Sequence, residues 1–183
     1  MTQMRALLRE ILGTIILAVV VFLLLQTTVQ SFIVDGYSME NSFHDGQRLI
    51  VVKDAIAYAF HEPEMGDVAV FHPPGNRQGD YIKRIIGLPG DTVEVKEGAV
   101  YVNGKKLYEP YVKDPPIYTL DPIEVPENKY FVLGDNRNNS NDSHNGWMLP
   151  RQNILGRAWL SIWPPDEWGF APNYNLEKQL AGS

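Results

Sequence analysis

The chain has 183 residues, enough for one domain or one domain with an appendage. Lys and Arg total 16 against 22 Asp and Glu, a formal charge of −6, which argues against a surface that tracks nucleic-acid phosphates. Hydrophobic content of 44% excludes global disorder, and the absence of cysteine excludes disulfides, a cysteine nucleophile and cysteine-ligated metal, while leaving the redox compartment open.

The first ten residues form a short tail carrying Arg5 and Arg9 against Glu10. Ile11 to Val34 then run for 24 residues without a charge, and about 20 apolar residues span a bilayer as a helix. Its rivals are a buried core helix, which would not need to be apolar all round, and a cleaved signal peptide, for which the run is long and lacks a following small-x-small site. The expectation is an uncleaved anchor over 11–30, with the basic tail favouring a cytoplasmic N-terminus and an extracytoplasmic body.

The body, residues 31–183, reads as β. Residues 49–52, 67–71 and 81–86 are short β-branched runs bounded by turn residues. Leu88-Pro89-Gly90-Asp91 suits a type II turn. Thr92 to Lys96 alternates with period two, and residues 99–102 meet Asn103-Gly104, a strong hairpin signal. Residues 130–133 and 157–163 complete the strands. Pro110 to Pro126 holds five prolines and is expected to be an irregular loop or small subdomain, and the polar tail after Pro172 is expected to be loose.

No histidine pair has zinc-ligand spacing, and there is no phosphate loop or G-x-S-x-G elbow, so no metal or other cofactor is expected. Three segments remain. Ser38 sits in a turn just beyond the apolar span, where most serines only bond the local backbone. Lys83 shares a strand face with Tyr81 and Ile85. Burial there would lower its pKa from about 10.4, and reaching about 8 costs roughly 3 kcal/mol, after which the neutral amine can serve a serine as general base. By itself this lysine is better read as one on an edge strand that reaches out to solvent. The third segment, Gly134 to Ser143, is a run of short polar residues that suits a self-bonded loop or the support of a site.

Taken together, Ser38-Met39 behind an anchor, Tyr81-Ile82-Lys83-Arg84-Ile85-Ile86-Gly87-Leu88-Pro89-Gly90-Asp91, and Gly134-Asp135-Asn136-Arg137 with Asn139-Ser140 and Asp142-Ser143 resemble the bacterial type I signal peptidases. Gly66-Asp67-Val68-Ala69-Val70-Phe71 looks like a fourth box of that family. The resemblance covers about Ser31 to Pro164 and is closest to its compact Gram-positive form. It implies a mainly β, signal-peptidase-like antiparallel catalytic domain behind a transmembrane helix, with a small inserted β subdomain at about 97–128. It also implies a serine endopeptidase working through a Ser–Lys dyad and an acyl-enzyme on signal peptides of exported preproteins, at the lipid bilayer and in possible association with the secretion machinery. Ser38 matches the nucleophile and Lys83 the general base. Ser140 matches a serine that orients the lysine, and Asp135, Arg84 and Asp142 match bracing residues. Phe32, Val34, Gly36, Met39, Phe43, Tyr81 and Ile82 match positions around the substrate.

The sequence departs from the family at Asn41 and Ser42, where proline and threonine are usual, at Asn138, where aspartate is common, and at His144, where an arginine pairs with the aspartate matching Asp142. An imidazole contact fades as the ring loses its proton near pH 6.5. The alternatives are a non-catalytic paralogue that binds peptide segments at the export machinery and a Ser–His–Asp hydrolase built on His144 and Asp142.

Overall fold

In the computed structural model the described residues are 2–172 and 174–181, with the side chains of Thr2, Arg5, Ala6 and Ala181 outside them; the Arg5 charge used above therefore lies outside the described residues. Helix α1 (Thr2–Thr28) contains the stretch Leu7–Thr28, the single helix among the described residues long and apolar enough to cross a membrane, and none of its apolar window is buried against the protein. The helix stops at Thr28, two residues before the expected end of the anchor. Its backbone passes directly into strand β1 (Val29–Ile33). Apolar content cannot mark that change, because β-branched residues suit a membrane helix and a strand alike. Lys53 Nζ donates to the Gln26 carbonyl at 2.6 Å, placing a cation where the helix dipole is negative.

The chain continues through β2 (Arg48–Lys53), the single turn α2 (Asp54–Ala57), β3 (Val68–Phe71), β4 (Tyr81–Gly87), β5 (Thr92–Lys96), β6 (Ala99–Val102), β7 (Lys105–Lys106), β8 (Leu120–Glu124) and β9 (Lys129–Leu133). It ends with β10 (Leu149–Pro150), β11 (Ile154–Trp163), β12 (Gly169–Phe170) and α3 (Glu177–Ala181). Two antiparallel sheets result. The larger has the order β1-β2-β11-β3-β4-β9-β10, with β12 on β11; the smaller has the order β7-β6-β5-β8. The fold is mainly β behind an apolar helix, as the sequence implies.

The turns are where their residues demand them. Asp91 N donates to the Leu88 carbonyl at 3.0 Å with Gly90 at φ +87°, as a type II turn requires. Asn103 and Gly104 both take positive φ, 52° and 77°, the pairing of a type I′ hairpin. The proline-rich segment holds a strand after all. β8 contains Pro122, and it lies at the edge of the small sheet, where a residue without an N–H is tolerated.

The smaller sheet packs on β4 and β9 through a cluster of Ile86, Val93, Val95, Val100, Val102, Phe131 and Leu133. Leu176, from the tail expected to be loose, is fully buried in the same cluster. β4 therefore has β3 and β9 on either side and a second sheet against it. Its register sets Ala69 opposite Lys83 on one flank and Leu133 opposite Arg84 on the other. A charged residue on this strand has no route to bulk water along the sheet edge.

Candidate active site

Lys83 is 4% exposed. Its Nζ lies 2.7 Å from Ser38 Oγ, donates to the Ile82 carbonyl at 2.8 Å, and stands 5.3 Å from the centre of the Tyr81 ring. Desolvation in this setting lowers its pKa from 10.5 to about 8, against the opposing pull of the Asp142 and then the Asp135 charge. The interior position of β4 is what enforces this burial. The edge-strand lysine that the residues alone allowed is not the arrangement found.

Ser38 follows α1 closely. Ser38 is ten positions beyond Thr28, so the chain holds it within roughly 35 Å of the helix end. Its carbonyl accepts from Asn136 N at 3.0 Å, and Asn136 Nδ2 donates to the Tyr37 carbonyl at 3.0 Å. The loop after β9 thus grips the backbone of the Ser38 turn. Gly134 makes the approach possible, because an added Cβ would collide with the Ser38 carbonyl oxygen and with Ser140 Oγ.

That loop is fixed by charge. Arg84 is fully buried and bidentate on Asp135, with Nε to Oδ1 at 2.9 Å and Nη2 to Oδ2 at 2.7 Å. Burial works against the guanidinium charge, and the Asp135 carboxylate more than offsets it. Asp142, also fully buried, accepts from Gly134 N at 2.9 Å and lies 2.7 Å from His144 Nδ1. The His144 ring stacks on Tyr118 at 4.2 Å. No hydrogen bond joins His144 to Ser38 among the described residues, and the imidazole faces the bracing carboxylate instead. Ser140 Oγ is buried with no hydrogen-bond partner in the protein, and it is not bonded to Lys83 in this arrangement.

A cavity of about 240 Å³ opens over the pair, lined by Phe32, Asp35, Ser38, Gln78, Gly79, Asp80, Tyr81, Ile82, Lys83 and Asn141. Of the positions matched to substrate contact, Phe32, Tyr81 and Ile82 line it. Val34, Met39 and Phe43 do not, since they are buried in a core cluster with Leu49, Val51, Val68 and Val70 beneath it. Gly36 also stays off the wall: its N donates to Asp45 Oδ1 at 2.7 Å, and its φ of +85° suits glycine.

Two features escape the sequence reading. Arg137 is 1% exposed and bidentate on Glu109, at 2.8 and 2.6 Å, while its Nε donates to the Gly134 carbonyl at 3.1 Å. Lys113 reaches Glu40, next but one after Ser38, at 2.6 Å. Both partners from the far side lie in irregular chain between β7 and β8, Glu109 just before the proline-rich segment and Lys113 within it, where no periodicity announces them.

A family model described as "Signal peptidase, peptidase S26" matches residues 7–163. The chain belongs to the signal peptidase family, peptidase S26. It is 44% identical over 169 residues to the probable signal peptidase I-1 of Synechocystis sp., covering 88% of this chain and 85% of the relative. Against signal peptidase IB of Staphylococcus aureus it is 36% identical over 191 residues, covering 94% and 97%. A crystal structure of a signal peptidase I from Enterococcus faecalis aligns with 52% of this chain and 96% of that one, at 34% identity and a TM-score of 0.45. Membership of the signal peptidases makes the chain a serine hydrolase of the peptidase class.

Proposed function

We propose that the protein is a membrane-anchored endopeptidase that removes signal peptides from exported preproteins, with Ser38 as nucleophile and Lys83 as its general base. The observation that carries this reading is the 2.7 Å contact between Ser38 Oγ and a lysine whose burial brings its pKa to about 8. A serine hydroxyl needs a base whose neutral form is populated near working pH, and a lysine at about 8 supplies far more of it there than one at 10.5.

In the proposed reaction the extended segment before the cut lies in the cavity beside Phe32, Tyr81 and Ile82, adding its backbone to the exposed strand ends. Ser38 Oγ attacks the scissile carbonyl and Lys83 Nζ takes its proton. The oxyanion forms against the Ser38 backbone N–H. Lys83 then returns the proton to the leaving amine, which departs as the new N-terminus of the mature protein. Water, deprotonated by the same amine, hydrolyses the Ser38 ester and frees the signal peptide's new carboxylate. Asp135, Arg84 and Asp142 hold the frame. α1 confines the enzyme, and the apolar signal peptide its substrate, to one surface, raising their effective concentration. The N-terminal tail lies in the cytoplasm and the body outside it, against the bilayer.

Cleavage of a model preprotein in detergent by the parent, Ser38→Ala and Lys83→Ala proteins tests the reading. Both variants are expected to lose processing while keeping the parent's circular dichroism. Parent-like processing by either one would overturn it and favour a module that binds peptides without cutting them.

A further inference from the structure

The buried Arg84–Asp135 pair is closed on one side by a part of the chain that the dyad chemistry does not use. Pro172 and residues 174–180 run back from β12 against both sheets. Leu176 is fully buried. Tyr174 packs its ring 4.7 Å from Tyr111, and both rings contact the Arg84 guanidinium, at 5.2 Å and 4.1 Å. Arg84 Nη1 donates to the Pro172 carbonyl at 2.8 Å and the Gly66 carbonyl at 2.9 Å. Gly66 leaves the room: a Cβ there would collide with the Tyr174 carbonyl, and its φ of +100° suits glycine. Further along, Lys105 Nζ donates to the Leu180 carbonyl at 2.5 Å, while the Gln179 side chain bonds Tyr108 N and O at 2.8 and 3.0 Å. The segment is fastened at both ends and in the middle.

We propose that this segment is a strap and that Tyr174 is a positioning residue for the Ser38–Lys83 pair, acting through Arg84 and Asp135. The inference rests on the dyad reading above. The connection has two routes. Asp135 is next to Asn136, which holds the Ser38 carbonyl, and Arg84 Nη2 reaches Ser42 Oγ at 3.4 Å in the turn that follows the nucleophile. Tyr174 also borders a cavity of about 300 Å³ shared with Asn41 and Ser42, so removing its ring opens a path for water to Arg84. Water there weakens the guanidinium's hold on Asp135. More of the carboxylate's field then reaches Lys83, and the ammonium form gains. The base is protonated at higher pH than before, and the turn carrying Ser38 loosens.

The test uses the full chain in detergent with a model preprotein, measuring kcat and KM against pH for the parent, Tyr174→Phe, Tyr174→Ala, Tyr174→Leu and Ser38→Ala. Tyr174→Phe keeps the ring and is expected to match the parent. Tyr174→Ala is expected to lose about tenfold in kcat with KM within about twofold, and to move the acid limb of the kcat profile upward by roughly half a pH unit. Tyr174→Leu removes the ring from the Arg84 guanidinium while filling part of its volume, and gives a smaller shift in the same direction should the alanine variant misfold. Parent-like kcat and an unmoved acid limb in Tyr174→Ala or Tyr174→Leu overturn the strap, whatever the melting temperature does. Full activity in Ser38→Ala instead overturns the dyad reading on which it rests.

Discussion

Replacing Lys83 with methionine should stabilise the protein at neutral pH while abolishing its activity. The amine titrates at about 8 in the folded chain and at the ordinary 10.5 once unfolding exposes it. That gap is worth about 3 kcal/mol at 1.36 kcal/mol per pH unit. Below about pH 8 both states carry the ammonium, and the folded state bears the whole penalty of burying it. Between 8 and 10.5 the folded chain has released a proton that the unfolded chain still holds, so stability rises with pH. Above 10.5 the penalty is gone. Methionine has similar length and no charge, so it removes the penalty at every pH. It also leaves the Ile82 carbonyl without the bond from Nζ, which offsets about 1 kcal/mol. Lys83→Met is therefore expected to exceed the parent by about 2 kcal/mol at pH 7 and to lose that advantage by about pH 10. Urea unfolding in detergent, followed by tryptophan fluorescence, measures both proteins across this range. Other groups titrate equally in the two chains, so the difference between the curves isolates position 83. Parallel curves would refute the buried, depressed lysine.

With Lys83 as the proposed base, kcat/KM for a model preprotein should rise tenfold per pH unit below about 8 and level off above it, read from initial rates in detergent. Asp135→Asn leaves Arg84 buried with its charge uncompensated, which should destabilise by about 3–5 kcal/mol in urea. Removing a carboxylate that favours the ammonium should also move the acid limb to lower pH, the direction opposite to that expected on removing the Tyr174 ring. Gly134→Ala should reduce kcat by about a hundredfold or more, because the new methyl group pushes on the Ser38 carbonyl and displaces the nucleophile. Measured beside it, Gly36→Ala should lower the melting temperature through backbone strain alone, since nothing stands within 4 Å of its added carbon.

The sequence announces most strands because a half-buried strand leaves a short-range mark. β5 and β6 alternate, their hairpin carries Asn103-Gly104, and β4 is a run of large apolar residues around two charges. The proposed dyad is legible in the sequence only as a resemblance, since position 83 by itself fits an edge strand or a buried one, and only the order of strands decides between them. What stayed hidden depends on partners far along the chain. Glu109 finds Arg137 across 28 positions, and Pro172 finds Arg84 across 88. The tail from 174 to 180 has no period to read because its helix, α3, begins only at Glu177 and is too short to show one. It is held by one buried leucine, one aromatic ring and backbone carbonyls. The same limit affects Val34, Met39 and Phe43, whose apolar character suits a pocket wall and a core equally.

The charges around Lys83 bear on how it could serve as the base proposed above. Two fully buried carboxylates, Asp135 and Asp142, both raise its pKa. Left unpaired, they would hold the amine as an ammonium, and a protonated lysine cannot take a proton from serine. Each carboxylate is instead engaged by a group that does not touch the reaction: Arg84 with two hydrogen bonds on Asp135, and the Gly134 N–H and the His144 ring on Asp142. Desolvation then prevails, and the amine comes to about 8. On this reading the bracing network does more than hold shape. Arg84 offsets the charge of Asp135, and hydrogen bonds hold Asp142 in the frame that anchors the Gly134–Ser143 loop, so that burial on a central strand can bring the amine down to about 8.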